Sequence, residues 1–296
     1  MKKILLCINP KAGAGKSKSR LFDIVNALNN MDCEVTVYTI VPGLRSVEDI
    51  LAAHPDGYDV YACCGGDGTL NRFINACKAQ KITHPIGYYP LGSTNDFART
   101  IWKKPSLTNI SSSIARGTGF HYDLGSFNGR YFNYIAAFGA FTDVSYSTEQ
   151  RFKDALGYLA YVLNGLTNLP QNLNQNIELR YTVDGVEHEG NYIFGSVSNT
   201  TSIGGFSSPL MRQVKLNDGL FEVILIKAPL RVYELGELAA ALSKGNVNDR
   251  CIDVFQTDHI DFHFTEPVRW TLDGEESAPE SEVNIHVEPN AMCLMV

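Results

Sequence analysis

No apolar stretch in the 296-residue chain approaches the roughly 20 residues that a membrane-spanning helix needs. The first apolar run ends after Ile8 with no small-residue cleavage site behind it, so the start MKKILLCINPKAGAGK resembles a secretory signal only in its two lysines. Positive charge is also short: 25 Lys+Arg against 32 Asp+Glu give a net charge of −7. That balance argues against nucleic acid as a partner and against a bilayer attracted by overall charge. Cysteines at metal or redox spacing are missing. The seven, Cys7, Cys33, Cys63, Cys64, Cys77, Cys251 and Cys293, include no C-x-x-C and mostly sit in apolar runs. They read as reduced core thiols of a cytoplasmic protein. There is no internal repeat, low-complexity tract or obvious linker. With 44% hydrophobic and 19% charged residues, the composition is that of an ordinary globular chain long enough for two domains.

What is present changes character near residue 119. Before it, short apolar runs at Lys3–Ile8, Glu34–Val41, Val60–Cys64 and Ile86–Tyr89 alternate with helical patterns at Leu21–Leu28, Val47–Leu51, Leu70–Ala79, Phe97–Trp102 and Ile110–Ala115. Such a rhythm predicts an α/β domain over residues 1–118 with a mainly parallel sheet covered on both faces. After it, strands are expected at Phe120–Phe127 and Tyr131–Ala137, around an Asn128-Gly129 hairpin signal. Further strands follow at Ile177–Val183, Tyr192–Asn199, Leu220–Ile226, Asp261–Phe264, Val268–Leu272 and Val283–Val287, with Asp184-Gly185 as a second hairpin turn. Helices are expected at Phe152–Leu169 and Leu235–Leu242. Residues 119–290 therefore read as a β-rich, mostly antiparallel, sandwich-like domain. The apolar segment 291–296 is compatible with a return to the first domain.

The most informative stretch is Gly65-Gly66-Asp67-Gly68-Thr69, which joins a buried strand to a helix. One or two permissive residues suffice for a turn; three glycines imply strained dihedrals or close backbone approach to another object. Two phosphate-loop templates fail. Gly15-Lys16-Ser17 ends like a P-loop, but Pro10 stands where its first glycine is needed, and Asn71 stands at the third glycine of a dinucleotide fingerprint. The physics behind both still applies, since free N–H groups at a helix start on the carboxyl edge of a parallel sheet attract anions. Asp67 would repel bare phosphate unless it helps hold a divalent cation, or it could simply cap the helix. Asn9-Pro10-Lys11-Ala12-Gly13-Ala14-Gly15-Lys16 and Pro90-Leu91-Gly92-Ser93-Thr94-Asn95-Asp96-Phe97 occupy equivalent positions. Each alone could be a solvated loop. Together, three polar glycine-bearing loops on one sheet edge favour a phosphate-rich ligand.

Gly65-Gly66-Asp67-Gly68-Thr69-Leu70-Asn71 followed by the loop from Pro90 to Arg99 resembles the diacylglycerol kinase catalytic domain, with soluble bacterial lipid kinases as the nearest likeness. The likeness continues through Asp123-Leu124-Gly125, Asn217-Asp218-Gly219-Leu220 and Leu272-Asp273-Gly274-Glu275. GGDGT alone is shared with NAD kinases; its combination with the Asn-Asp-Phe-Ala loop is specific. The resemblance implies an ATP- and Mg²⁺-dependent kinase acting on a lipid hydroxyl such as that of diacylglycerol. It implies that ATP lies over Asn9, Pro10, Lys11, Ala12, Gly13, Thr39, Gly66, Asp67, Gly68, Thr69, Leu70, Asn71, Arg72, Ser93, Thr94 and Asn95. Asp67, Asp96 and Asp123 would form an acidic network near the phosphates, and a structural Mg²⁺ would bind Asp218 with the carbonyls of Lys215 and Leu220. A hairpin turn is the plainer reading of Asp218-Gly219. The base would come from Asp273 or Glu275, with Asp67 also catalytic.

Three departures stand out: Ser93 for the usual Thr, Arg72 for the usual Glu, and Pro209 well upstream of its usual place before the metal segment. The implied partner is a lipid at the membrane surface, with no nucleic acid; a homodimer is compatible. The implied location is cytoplasmic, with peripheral contact at the inner membrane face, for which Arg99-Thr100-Ile101-Trp102-Lys103-Lys104 is the one cationic and aromatic patch. Core packing of Trp102 is the plainer alternative. The rival functions are an NAD-kinase-like phosphotransferase and a nucleotide-binding regulator without turnover.

Overall fold

The structure, a computed structural model, describes residues 1–102, 106–139, 176–203, 206–207, 214–228 and 250–296. Met1–Leu124 with Pro289–Val296 forms one compact unit and Gly125–Glu288 a second. The sequence placed the divisions at 118/119 and 290/291.

The first unit alternates β1 (Lys2–Ile8), α1 (Lys16–Asn29), β2 (Cys33–Thr39), α2 (Val47–Ala53), β3 (Val60–Gly65), α3 (Asp67–Ala79), β4 (Ile86–Pro90), α4 (Asp96–Ile101) and α5 (Leu107–Arg116). Its sheet runs β2-β1-β3-β4, all parallel, and the end of the chain adds a further parallel partner with Leu294 opposite Ile86. Every residue of β3 is buried, as are Ile4 to Ile8 of β1. Continuous apolar runs of this kind arise because helices cover both faces of a parallel sheet. Ile4, Leu6, Val60, Ala62 and Cys64 pack with Ile24 and Leu28 of α1 and Ile110 and Ile114 of α5. α2 begins where its sequence says it must, through reciprocal bonds between Ser46 and Asp49: the Ser46 hydroxyl accepts from Asp49 N at 3.1 Å, and Ser46 N donates to the Asp49 carboxylate at 2.8 Å.

The later strands are β5 (Gly119–Phe127), β6 (Arg130–Phe132), β7 (Ile135–Gly139), β8 (Ile177–Val183), β9 (Val186–Ser198), β10 (Ser202–Ile203), β11 (Phe206–Ser207), β12 (Phe221–Lys227), β13 (Ile252–Thr257), β14 (His259–Val268), β15 (Trp270–Leu272), β16 (Glu275–Glu276) and β17 (Glu280–Met295). Within the second unit the order β16-β15-β7-β9-β8-β14-β17 is antiparallel throughout, and β12 lies between β9 and β13. The architecture is thus an α/β unit with a parallel sheet and a β-rich, sandwich-like unit, as the sequence predicts. An aromatic core of Phe138, Phe262, Phe264 and Trp270 anchors the second unit.

Asn128-Gly129 and Asp184-Gly185 are two-residue turns with positive φ at both positions, 46° and 84° in the first, 52° and 74° in the second. Those dihedrals match the twist of the flanking strands, which is why the two dipeptides signal hairpins. Two strand expectations are corrected: Val268–Leu272 is not one strand, since Val268 ends β14 and β15 begins at Trp270. Tyr131–Ala137 is two strands, β6 and β7, because the Asp273 carboxylate takes the backbone N–H groups of Asn133, Tyr134 and Ile135 away from strand pairing. The helices expected at 152–169 and 235–242, and the displaced Pro209, lie outside the described residues.

Candidate functional site

In the first unit the three glycine-bearing loops interlock. Asn9 Nδ2 donates to Thr69 Oγ1 at 2.9 Å, tying the loop after β1 to the start of α3. Leu91 N donates to Gly65 O at 2.8 Å, tying the loop after β4 to the end of β3. Gly66 and Gly92 face each other so closely that a Cβ on Gly92 would lie 2.5 Å from Gly66 Cα. The object approached by the glycine backbone is therefore, at Gly66, the neighbouring loop. Asn95 closes that loop on itself: its Oδ1 accepts from Gly92 N at 2.8 Å and its Nδ2 donates to Gly92 O at 3.0 Å. It does so from a left-handed conformation, φ 53°, which Asn tolerates better than most residues.

Gly66 is the N-cap of α3, and no side chain caps the helix. Neither Asp67 nor Thr69 caps it: Asp67 is the first residue of the helix, and the Thr69 hydroxyl accepts from Asn9. Uncapped first-turn N–H groups and the helix dipole make this end attractive to an anion. Thr39 pairs with Ile8 across β2 and β1, so it stands beside Asn9 on the same edge. Gly13 adopts φ 57° in the short 3-10 turn that follows Pro10 and Lys11. Thr94 and Ser93 belong to the third loop, Ser93 exposed. Leu70 is fully buried and Asn71 nearly so, so Leu70 offers a ligand no side chain. Arg72 is half exposed and bound bidentately by Glu48 of α2, at 3.2 and 3.1 Å, which neutralises the charge that departs from the kinase pattern.

The buried carboxylates divide their duties. Asp67 Oδ2 accepts from the Thr94 hydroxyl and from Asp96 N, both at 3.2 Å, so it pins the third loop to α3. Asp96 is itself buried beside it. Burial, with the negative charges of Asp67 and Asp96, pushes the Tyr88 phenol well above its usual range. Asp123 is fully buried and accepts from Asn290 N at 2.7 Å.

The second unit contributes two carboxylates in one hairpin. Asp273 and Gly274, with φ 51° and 88°, form its two-residue turn, closed by Leu272 and Glu275. Asp273 is 2% exposed and accepts four hydrogen bonds: Asn133 N at 2.7 Å, Asn133 Nδ2 at 3.0 Å, Tyr134 N at 2.9 Å and Ile135 N at 3.2 Å. Glu275, two residues on, is exposed. Sequence reasoning missed Asn133 as the partner of this hairpin, and the D-G signal that found Asp184-Gly185 was equally present at Asp273-Gly274.

Asp218 is exposed, and its Oδ1 accepts from Leu220 N at 3.2 Å; Gly219 follows at φ 78°, and Lys215 is exposed. Close by stands a residue the sequence reading passed over. Glu222 is buried on β12, its Oε1 accepting from Gln256 Nε2 at 3.0 Å. Burial pushes its carboxyl up to about 7, and the charge of Asp218 adds to the rise. A carboxylate in the apolar run Leu220–Ile226 was the available signal. Of the cationic patch, Arg99 Nε donates to Thr94 O at 2.8 Å and Trp102 is half-buried, while Lys103 and Lys104 lie outside the described residues. Among the described residues no helix is long and apolar enough to cross a membrane.

Comparison with known proteins agrees along nearly the whole chain. Residues 3–127 match the family model of the diacylglycerol kinase catalytic domain, and residues 138–296 match that of the YegS C-terminal NAD kinase beta sandwich-like domain. A diacylglycerol kinase of Staphylococcus aureus (strain bovine RF122 / ET3-1) is 33% identical over 245 residues, 82% of this chain and 76% of that one. A diacylglycerol kinase of Bacillus subtilis (strain 168) is 27% identical over 289 residues, covering 97% of this chain and 94% of its own. A crystal structure from Bacillus anthracis str. Sterne superposes with a TM-score of 0.80 at 23% identity, covering 99% of this chain and 95% of that one, a likeness of fold.

Proposed function

The chain belongs to the diacylglycerol kinase family, and on that premise we propose that it transfers the terminal phosphoryl group of ATP to the hydroxyl of a lipid such as diacylglycerol, with Mg²⁺ as cofactor. The observation that carries this reading is the interlocked edge of the first unit, where three loops meet around an uncapped helix start and the buried Asp67. Phosphoryl transfer asks a protein chiefly for positioning and charge neutralisation. Asn9 to Gly13, Thr39, Gly66 to Arg72 and Ser93 to Asn95 are the residues that would hold ATP, with first-turn N–H groups of α3 turned to its phosphates.

The carboxylates fit magnesium. Asp67 and Asp96 are hard oxygen donors buried side by side, and Asp123 is the third acidic candidate. In the second unit, Asp218 with the Lys215 and Leu220 carbonyls would hold a structural ion; Leu220 stands two residues along the chain from Glu222, whose buried Oε2 lacks a hydrogen-bond partner. Bound near the phosphates, the ion would supply neutralisation of developing charge.

Between the two candidate bases the hydrogen bonds favour Glu275. Asp273 already accepts four, so we assign it the positioning of the hairpin, and Glu275 the proton. The lipid oxygen forms a bond to the γ-phosphorus, the bond from that phosphorus to the β–γ bridging oxygen breaks, and the hydroxyl proton passes to the Glu275 carboxylate. Trp102 and its neighbouring lysines are the proposed membrane contact. Incubation with labelled ATP, Mg²⁺ and a lipid panel in mixed micelles, alongside NAD, tests the reading. Label in a lipid phosphate is expected. Label in NAD alone would favour the NAD-kinase reading, and ATP binding without transfer the regulator.

A further inference from the structure

We propose that Glu222 is a cation ligand, completing from the strand side the site that Asp218 begins in the second unit. The proposal rests on the reading that the segment from Lys215 to Leu220 holds a divalent cation. Glu222 lies in the middle of three strands, opposite Ser198 of β9 and Gln256 of β13, and is 7% exposed. Its described partner is the neutral Gln256 amide on Oε1; Oε2 is buried with no hydrogen-bond partner. An ionised carboxylate in such a place is strongly disfavoured unless a positive charge compensates it. A buried carboxylate oxygen left unsatisfied, two residues after Leu220 on the strand that leaves the Asp218 turn, would be satisfied by a cation bound to that segment.

A second buried oxygen borders the same segment. Asn199 is fully buried, its Nδ2 donates to Leu216 O at 3.4 Å, and its Oδ1 has no hydrogen-bond partner. Carboxylate, amide and backbone-carbonyl oxygens together form the donor set of Mg²⁺, Ca²⁺ or Mn²⁺ and a poor one for softer metals. The plain alternative is that Glu222 is a neutral residue of the sheet that takes no part in ion binding.

Mn²⁺ titration of the nucleotide-free full chain, followed by electron paramagnetic resonance, separates these. Wild type, Glu222→Gln and Asp218→Asn are compared, together with their melting temperatures in chelator and in excess Mg²⁺. The expected result is that both variants lose Mn²⁺ affinity at least tenfold, and that Mg²⁺ no longer raises their melting temperature. Wild-type affinity in Glu222→Gln with loss in Asp218→Asn would overturn the proposal and leave the Asp218 site standing. Unchanged Mn²⁺ binding in both would overturn the site itself and the proposal with it. Should Glu222→Gln fail to fold, Glu222→Asp keeps the charge on a shorter arm; threefold or greater loss of Mn²⁺ affinity supports the ligand role, and none overturns it.

Discussion

In the first unit a Cβ at Gly92 would meet the Gly66 Cα at 2.5 Å, whereas in the second unit a Cβ at Gly185 or Gly129 would find nothing within 4 Å. The turn glycines of the second unit, Gly185 and Gly129, are there for dihedrals, φ 74° and 84°, and those at the first unit's loop junction for space. The contrast follows from topology. Parallel strands bring loops distant in sequence to one edge, so the candidate nucleotide site is assembled from loop–loop contacts. Antiparallel strands need tight connections, so the carboxylates of the second unit sit in or beside turns.

Removing a single charge in either unit should have the largest effect. Asp67→Asn or Glu275→Gln is expected to lower lipid phosphorylation by about 10²–10⁴-fold with the fold intact, measured by kcat with labelled ATP and by circular dichroism. Wild-type turnover in both would reject the assignment. Gly92→Ala should cost on the order of 10²-fold in activity, because separating it from Gly66 displaces Asn95 and Thr94 from their partners. Asp273→Ala should act on stability first, losing about 3 kcal/mol in urea unfolding, since three buried N–H groups lose their acceptor. Gly185→Ala, by contrast, should cost only about 1 kcal/mol and leave turnover alone, which would confirm that second-unit turn glycines serve conformation.

The smallest effect concerns the thiols. Burial pushes Cys7 and Cys64 up to about 12 from an ordinary 9.0. Unfolded thiols ionise first as pH rises, so these groups leave stability intact below pH 9 and erode it between 9 and about 12. A thiol reagent at pH 8 should therefore modify the half-buried Cys293 in the native protein and spare Cys7, Cys63, Cys64 and Cys77. Rapid labelling of the β1 and β3 cysteines would show that the first unit opens more readily than its packing implies.

Much of this was legible in the sequence where the physics is local. Hydrophobic periodicity identified the parallel strands and their covering helices, and Asn-Gly and Asp-Gly dipeptides announced their turns through the dihedrals they permit. Glycines and polar residues after the first, third and fourth strands, with carboxylates in the latter two loops, marked the candidate site. Tertiary structure alone decided which residues meet. Asn9 binds Thr69 across 60 positions, Asp67 holds Asp96 across 29, and Asp273 divides β6 from β7 across 140. The pairing of Gly66 with Gly92 and the burial of Glu222 between β9 and β13 belong to the same class. Periodicity tells which face of an element turns inward. It carries no record of what that face will touch, because the partner comes from a distant part of the chain and is chosen only when the sheet closes.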